Sequence, residues 1–253
     1  MANINQLNKV KLEFENNRDN SKIKTIQVDK NTDLERSLPV EIIVKKDSII
    51  NLNYNEKFCG NIQIKIEKNT NVKLFENLNH KELQRDLKID LEKNSTLIHG
   101  FSNKTSKYAF TKISLKENSI YDLKAAYFAD GIENFIRFET YHLEKNTQSN
   151  MLINGAVVNN AKVICDALVN ISQNAPKSSG HQKLFGLLLD NSSHILSEPI
   201  LEIDNNDVTC SHGASISQIS DDIEFYMKTR GYSKEQVIDL IIKGFFEEIE
   251  ILK

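Results

Sequence analysis

Cys210 and His212 stand one residue apart in the run Val208-Thr209-Cys210-Ser211-His212-Gly213-Ala214, and no other Cys-x-His pair occurs in the chain. On a strand, residues two apart project from one face, so a thiol and an imidazole would stand side by side. Both are donors for iron and other borderline or soft metals. Two donors do not complete a tetrahedral site, so a metal held there would need residues from a second chain. The pair also fits plainer roles. Cys210 could be a small filler of a strand core, and His212 a hydrogen-bonding residue at an interface.

The other chemistry-bearing residues are less suggestive. Cys59 lies beside a glycine corner and Cys165 within an apolar strand, and both read as structural. Three cysteines without a CxxC indicate neither a disulfide framework nor a zinc knuckle. His80, His99, His142, His181 and His194 have no carboxylate or cysteine at metal spacing and read as background. Asp221, Asp222 and Glu224 open a helical pattern, where capping accounts for them. There is no Gly-x-x-x-x-Gly-Lys-[Ser/Thr] phosphate loop.

The elements that would position Cys210 and His212 are repetitive. IQIKIE at Ile62–Glu67, LKIDLE at Leu87–Glu92 and TKISLK at Thr111–Lys116 alternate apolar with polar residues, as does DSIINLNYN around Asn51–Asn53. Period-2 alternation marks strands with one buried face. Similar corners follow: Lys68-Asn69-Thr70, Lys93-Asn94-Ser95, Glu117-Asn118-Ser119 and Lys145-Asn146-Thr147. Their asparagines step by 25, 24 and 28 residues, and Lys46-Asp47-Ser48 extends the series backward by 22. A recurring strand–turn–strand unit of this length predicts a β-solenoid. A β-sandwich would also alternate, but it does not call for a repeated corner. The stretches Ile153–Val158 and Val163–Ala167 read as strands buried on both sides, and Ser172–Lys183 reads as a loop or bulge around Pro176 and Gly180. An apolar strand, Leu184–Leu189, follows, with Gly186 inside it permitting close backbone approach.

After Ile219 the period changes to about 3.6. Asp221 with Glu224, and Ser233 with Gln236, have the form of capping boxes, and Gly231 supplies a helix stop. Ile223, Tyr226, Met227 and Arg230 share one side of the first helix. Val237, Leu240, Ile241 and Phe245 recur along the second, with Ile238, Ile242, Phe246 and Ile249 beside them. That arc is wide, so part should pack on the strands and the rest meet a partner. Gly244 would permit close helix approach. The expected division is a β-solenoid core over residues 1–219, with a short N-terminal segment, and a helical segment over 220–253.

Bulk properties exclude several functions. At 253 residues the chain can bury a substantial core. A net charge of −3 provides no global basic field for nucleic acid or anionic lipid. Residues 190–253 hold 13 acidic against 5 basic side chains, leaving the preceding body basic. No apolar run approaches the ~18 residues of a membrane span, and the opening MANINQLNKVKLEF shows no signal-peptide core. A soluble, reducing, cytoplasmic setting is expected.

One segment resembles a known family. It carries Pro199, Leu201, Glu202 and Ile203, then Asn206, Asp207, Val208, Cys210, Ser211, His212, Gly213 and Ala214, then Phe225, Tyr226, Arg230 and Gly231. This pattern, extending to Ile249, resembles the C-terminal region of the SufB/SufD family, scaffold subunits of the Suf iron–sulfur cluster assembly machinery. Cys-Ser-His-Gly-Ala is similar to the SufD version, since SufB-like chains usually carry glutamate in this segment. Asn146–Asp190 resembles the rungs before that motif, including Gln182 and the leucines 187–189. Upstream of Asn146 only the style of repeat matches. Family members are commonly much longer, with an N-terminal helical region that has no counterpart here.

The resemblance implies a right-handed parallel β-helix with C-terminal α-helices, and a non-catalytic scaffold whose ATP hydrolysis belongs to a partner. That partner would be a SufC-type ABC ATPase, docked through Phe225, Tyr226, Arg230, Gly231, Phe245 and Phe246, the last two being alternatively core. The other partner would be a SufB-like subunit or a second copy. His212, with Cys210, would lie where a transient iron–sulfur cluster is shared between subunits, none being bound by the chain alone. Two alternatives stand beside this: a structural β-helix paralogue without a cluster role, and a β-helix enzyme acting on carbohydrate or transferring acyl groups. The enzyme would need paired carboxylates or a recurring histidine along one face, which the sequence does not show.

Overall fold

The computed structural model describes residues 8–14, 24–28, 34–35, 40–54, 59–81 and 83–250; the first seven residues, read above for a signal peptide, lie outside them. The strands are β1 (Asn8–Phe14), β2 (Lys24–Val28), β3 (Leu34–Glu35), β4 (Val40–Val44), β5 (Ser48–Tyr54) and β6 (Cys59–Ile66). They continue with β7 (Asn71–Leu78), β8 (Gln84–Leu91), β9 (Thr96–Asn103), β10 (Tyr108–Leu115), β11 (Ile120–Asp130) and β12 (Glu133–His142). The last are β13 (Gln148–Val158), β14 (Lys162–Ile171), β15 (Ser179–Leu188), β16 (His194–Ile203) and β17 (Thr209–Gln218). Two helices follow among the described residues, α1 (Asp221–Thr229) and α2 (Lys234–Glu250).

From β4 onward the chain alternates between two sheets. One sheet runs β17-β15-β13-β11-β9-β7-β5-β1-β3 and the other β16-β14-β12-β10-β8-β6-β4-β2. The pairings are parallel, as between β13 and β15 and between β14 and β16. Parallel neighbours need a crossover, and here the crossover is itself a strand of the opposite sheet. The result is a parallel β-solenoid. Alternation then has one consequence: every second side chain enters the space between the sheets, as in the buried Ile62, Ile64 and Ile66 of β6 and Leu87, Ile89 and Leu91 of β8. A single rung has too little apolar surface to sustain itself, so stability comes from stacking.

The repeated corner has a local cause. Asn69, Asn94, Asn118 and Asn146 hold φ of 58°, 58°, 59° and 58°, the left-handed region asparagine tolerates best among residues with a side chain. Their carboxamides form a ladder along the solenoid: Asn94 donates to Asn69 at 3.0 Å, Asn118 to Asn94 at 2.9 Å and Asn146 to Asn118 at 3.1 Å. The hydroxyl residue that follows is buried and bonds back to a preceding carbonyl, as Ser95 and Ser119 do at 2.6 Å. Asp47 departs from this pattern. It has no left-handed φ, and its carboxylate instead accepts from the Asn71 N–H at 2.7 Å.

The core also holds polar groups the sequence did not single out. His99, read as background, is wholly buried with its Nε2 2.9 Å from Glu76 Oε2, and Arg85 donates to the same oxygen at 2.6 Å. Tyr54 donates to the other Glu76 oxygen, and Arg85 also bonds the Phe110 carbonyl and Thr111. Burial alone would push the Glu76 carboxyl up, but the Arg85 guanidinium and the His99 ring hold it below its ordinary value. Cys165 is buried as expected, and desolvation pushes its thiol far up. Cys59 is exposed at the first position of β6 and Gly60 lies within that strand, so the expected glycine corner is absent there.

Two boundaries differ from expectation. The loop expected over Ser172–Lys183 ends at Ser178, and β15 begins at Ser179, because Gly180 and Gln182 continue the inward alternation of Leu184. The first helix is capped by Ser220, whose side chain accepts from the Ile223 N–H, rather than by Asp221. The second box is as expected: Ser233 N–H donates to Gln236 Oε1 at 2.8 Å and Gln236 N–H to Ser233 Oγ at 3.3 Å. Gly231, at φ +90°, ends α1. Helix α2 packs Val237, Phe246 and Ile249 inward, its apolar side meeting Ala156, Leu187 and Leu189 on the outer face of the longer sheet. A Cβ on Gly244 would meet nothing within 4 Å, so no close approach requires the glycine.

Candidate functional site

Strands β16 and β17, ten residues each, end the two sheets, and each is paired on one side only among the described residues. The solenoid is therefore open at this end, with two adjacent rows of unpaired backbone groups. Such edges are templates for another chain unless they are covered. Pro199 lies in β16, a position a proline tolerates because an edge strand needs no second donor.

Register places the candidate residues. Cys210 pairs with Gly180 and His212 with Gln182, so both continue the inward-facing column of β15. At the next rung inward a Cβ on Gly180 would fall 2.6 Å from Val169 Cγ1, so the column narrows to glycine beneath Cys210. Cys210 is half-buried against the core, and its desolvation pushes the thiol up while a hydrogen bond with the Gly180 backbone pulls it down. The thiol is thus the resting form, and a thiolate needs a further charge or metal to form. His212 is exposed, with Nδ1 3.4 Å from the Pro199 carbonyl. His181, by contrast, faces the outer side and bonds Ser211 Oγ at 2.7 Å. Two donors therefore share the open end. Among the described residues no cluster of three or more His, Cys, Asp or Glu is placed to hold a metal ion.

The helical candidates separate into two groups. Phe225 and Tyr226 on α1 are 71% and 55% exposed, and the Arg230 guanidinium lies 5.2 Å from the Tyr226 ring centroid. Phe245 and Phe246 pack edge to face, with ring centroids 5.3 Å apart, against the sheet. Their aromatic surface is used within the molecule. A cleft of about 360 Å³ opens between the end of α2 and β7, β9 and β11, lined by Phe75, Gly100, Phe101, Phe128, Phe246 and Ile249 among others. None of its lining comes from the open end.

A family described as SUF system FeS cluster assembly, SufBD core domain, matches residues 19–245. The chain belongs to the SufBD family. An iron-sulfur cluster assembly SufBD family protein of Staphylococcus aureus (strain USA300) is 26% identical over 213 residues, 83% of this chain and 42% of that protein. One from Galdieria sulphuraria is 33% identical over 108 residues, 43% of this chain and 49% of the relative. One from Mycobacterium leprae is 28% identical over 127 residues, half of this chain and 15% of the relative. The matched parts thus span about half, or less, of the length of these relatives. Among the described residues of this SufBD chain, no helix is long and apolar enough to cross a membrane.

Gln182 lies in β15 rather than in the expected loop; Gly180, Gln182 and Leu184 alternate at period 2, and that alternation is the sequence signal for the strand.

Proposed function

We propose that this SufBD chain is a non-catalytic scaffold of iron–sulfur cluster assembly that pairs through its open end with a SufB-like subunit or a second copy. The observation that supports it best is the pair of adjacent strand edges, β16 and β17, with Cys210 and His212 on the inward column between them. A partner strand laid on either edge would satisfy its backbone groups and bury the half-exposed Leu196 and Ile216. It would also bring its own side chains to Cys210 and His212. Iron and sulfide are then cargo, held between chains by donors neither chain completes alone. The exposed Phe225–Tyr226 face of α1 is the docking surface for a SufC-type ATPase, which performs the ATP hydrolysis.

Co-expression with a SufC-type ATPase and a SufB-like chain, followed by anaerobic reconstitution with iron and sulfide, tests this. Co-purification of the three chains is expected, with cluster absorbance that falls in His212→Ala and Cys210→Ala variants. Absence of any complex would overturn the scaffold reading. A complex whose His212→Ala form assembles clusters normally would leave a structural paralogue instead.

A further inference from the structure

Gln182 lies in β15, one strand before the open end, in register with His212. The two side chains share the inward column. Gln182 is 1% exposed, and its Nε2 donates to the Ile200 carbonyl at 2.9 Å. His212 Nδ1 lies 3.4 Å from the Pro199 carbonyl. Two neighbouring side chains of one sheet thus reach two consecutive carbonyls of the other.

The carboxamide is only half used. Gln182 Oε1 is buried and has no hydrogen-bond partner among the described residues. Leaving a buried acceptor unused costs stability, and an apolar residue like Leu184 in the same column carries no such cost. The bond from His212 to Pro199 is itself at the long limit. Adjacent strands lie about 4.8 Å apart, which places the imidazole within reach of Oε1 by side-chain rotation alone.

We propose that Gln182 is a positioning residue for His212: its Oε1 takes the imidazole Nδ1–H in exchange with the Pro199 carbonyl. Nε2 is then held without a proton and turned to the open end beside Cys210. Ligating histidines almost always donate their other ring N–H to such an acceptor, which fixes tautomer and orientation. This rests on the assembly reading for its use, but its geometry can be tested in the free chain.

The experiment is a long-range proton–nitrogen correlation spectrum of the full chain labelled at histidine nitrogen, recorded above the usual histidine range. Wild type should show His212 chiefly as the Nδ1–H tautomer. Gln182→Glu keeps an acceptor oxygen but loses the donor to Ile200, and should retain that tautomer. Gln182→Met loses both and should revert to a mixture. A merely structural bridge to Ile200 would make the two variants behave alike, which overturns the proposal. So would a wild-type spectrum dominated by Nε2–H. If Gln182→Met does not fold, Gln182→Leu takes its place, since it also lacks the acceptor and matches Leu184 of the same column. In the reconstitution assay Gln182→Met should lower cluster affinity about tenfold with partner binding unchanged. Loss of partner binding in wild type would instead count against the scaffold reading and leave the tautomer result standing.

Discussion

Acidification should destabilise the solenoid through one residue, His142. The last residue of β12, it is wholly buried, with Nδ1 2.7 Å from Thr147 Oγ1 and Nε2 2.9 Å from Ser149 Oγ. Hydroxyls can serve a neutral imidazole as either donor or acceptor, but neither offers charge to an imidazolium. Burial accordingly lowers the His142 pKa from 6.5 to about 4. Because the folded value lies below the unfolded one, the unfolded chain takes up the proton first. The stability is therefore complete above the unfolded value and is lost as pH falls toward the folded one. The full shift is worth about 3 kcal/mol at 1.36 kcal/mol per unit, of which about 2 kcal/mol is lost between about pH 7 and pH 5. Ordinary carboxylates remain ionised in both states over that interval. Denaturant unfolding of wild type and His142→Gln at about pH 7, 6 and 5 measures it, since glutamine keeps the polar contacts and cannot titrate. The variant should lose about 2 kcal/mol less than wild type. Parallel pH profiles, agreeing within about 0.5 kcal/mol, would refute the reasoning.

Further outcomes follow from the same packing. Asn118→Ala should lower stability by about 2 kcal/mol through the left-handed φ and two ladder bonds. Asn118→Gly should recover the backbone part, as thermal unfolding would report. Gly155→Ala sets a Cβ 1.7 Å from Tyr127 Cζ, so about 3 kcal/mol should be lost, with a truncated Tyr127 restoring much of it; an additive double variant would contradict this. Leu196→Lys with Ile216→Lys should abolish pairing in sedimentation while the melting temperature stays within a few degrees, because both side chains are exposed. Phe225→Glu should likewise remove ATPase binding in pull-down without changing stability, and unchanged binding would move the docking surface elsewhere.

Much of the fold was legible because its rules are local. Asn69, Asn94, Asn118 and Asn146 announce left-handed corners by residue type, and the alternation between them fixes which side chains face inward. Ser233–Gln236 announces a helix start in the same way. The buried polar groups were not legible. Glu76, Arg85 and His99 meet only because rungs stack in one register, and in isolation each resembles a solvated residue. His142 shows the same limit, since it is costly to protonate only because the stacked coil buries it beside the Thr147 and Ser149 hydroxyls.

The site divides along the same line. Cys210 and His212 are on one face by spacing alone, and their family motif is a linear pattern. That their face is the inward column at an open end, with Gln182 beneath His212, required the pairing of β15 with β17. That Phe246 is core while Phe225 stands in solvent required the docking of α2 on the sheet. Backbone preference and period act over a few residues, and the chain states them directly. Burial and partnership depend on how strands of different sheets and rungs come together, and only the stacked structure decides them.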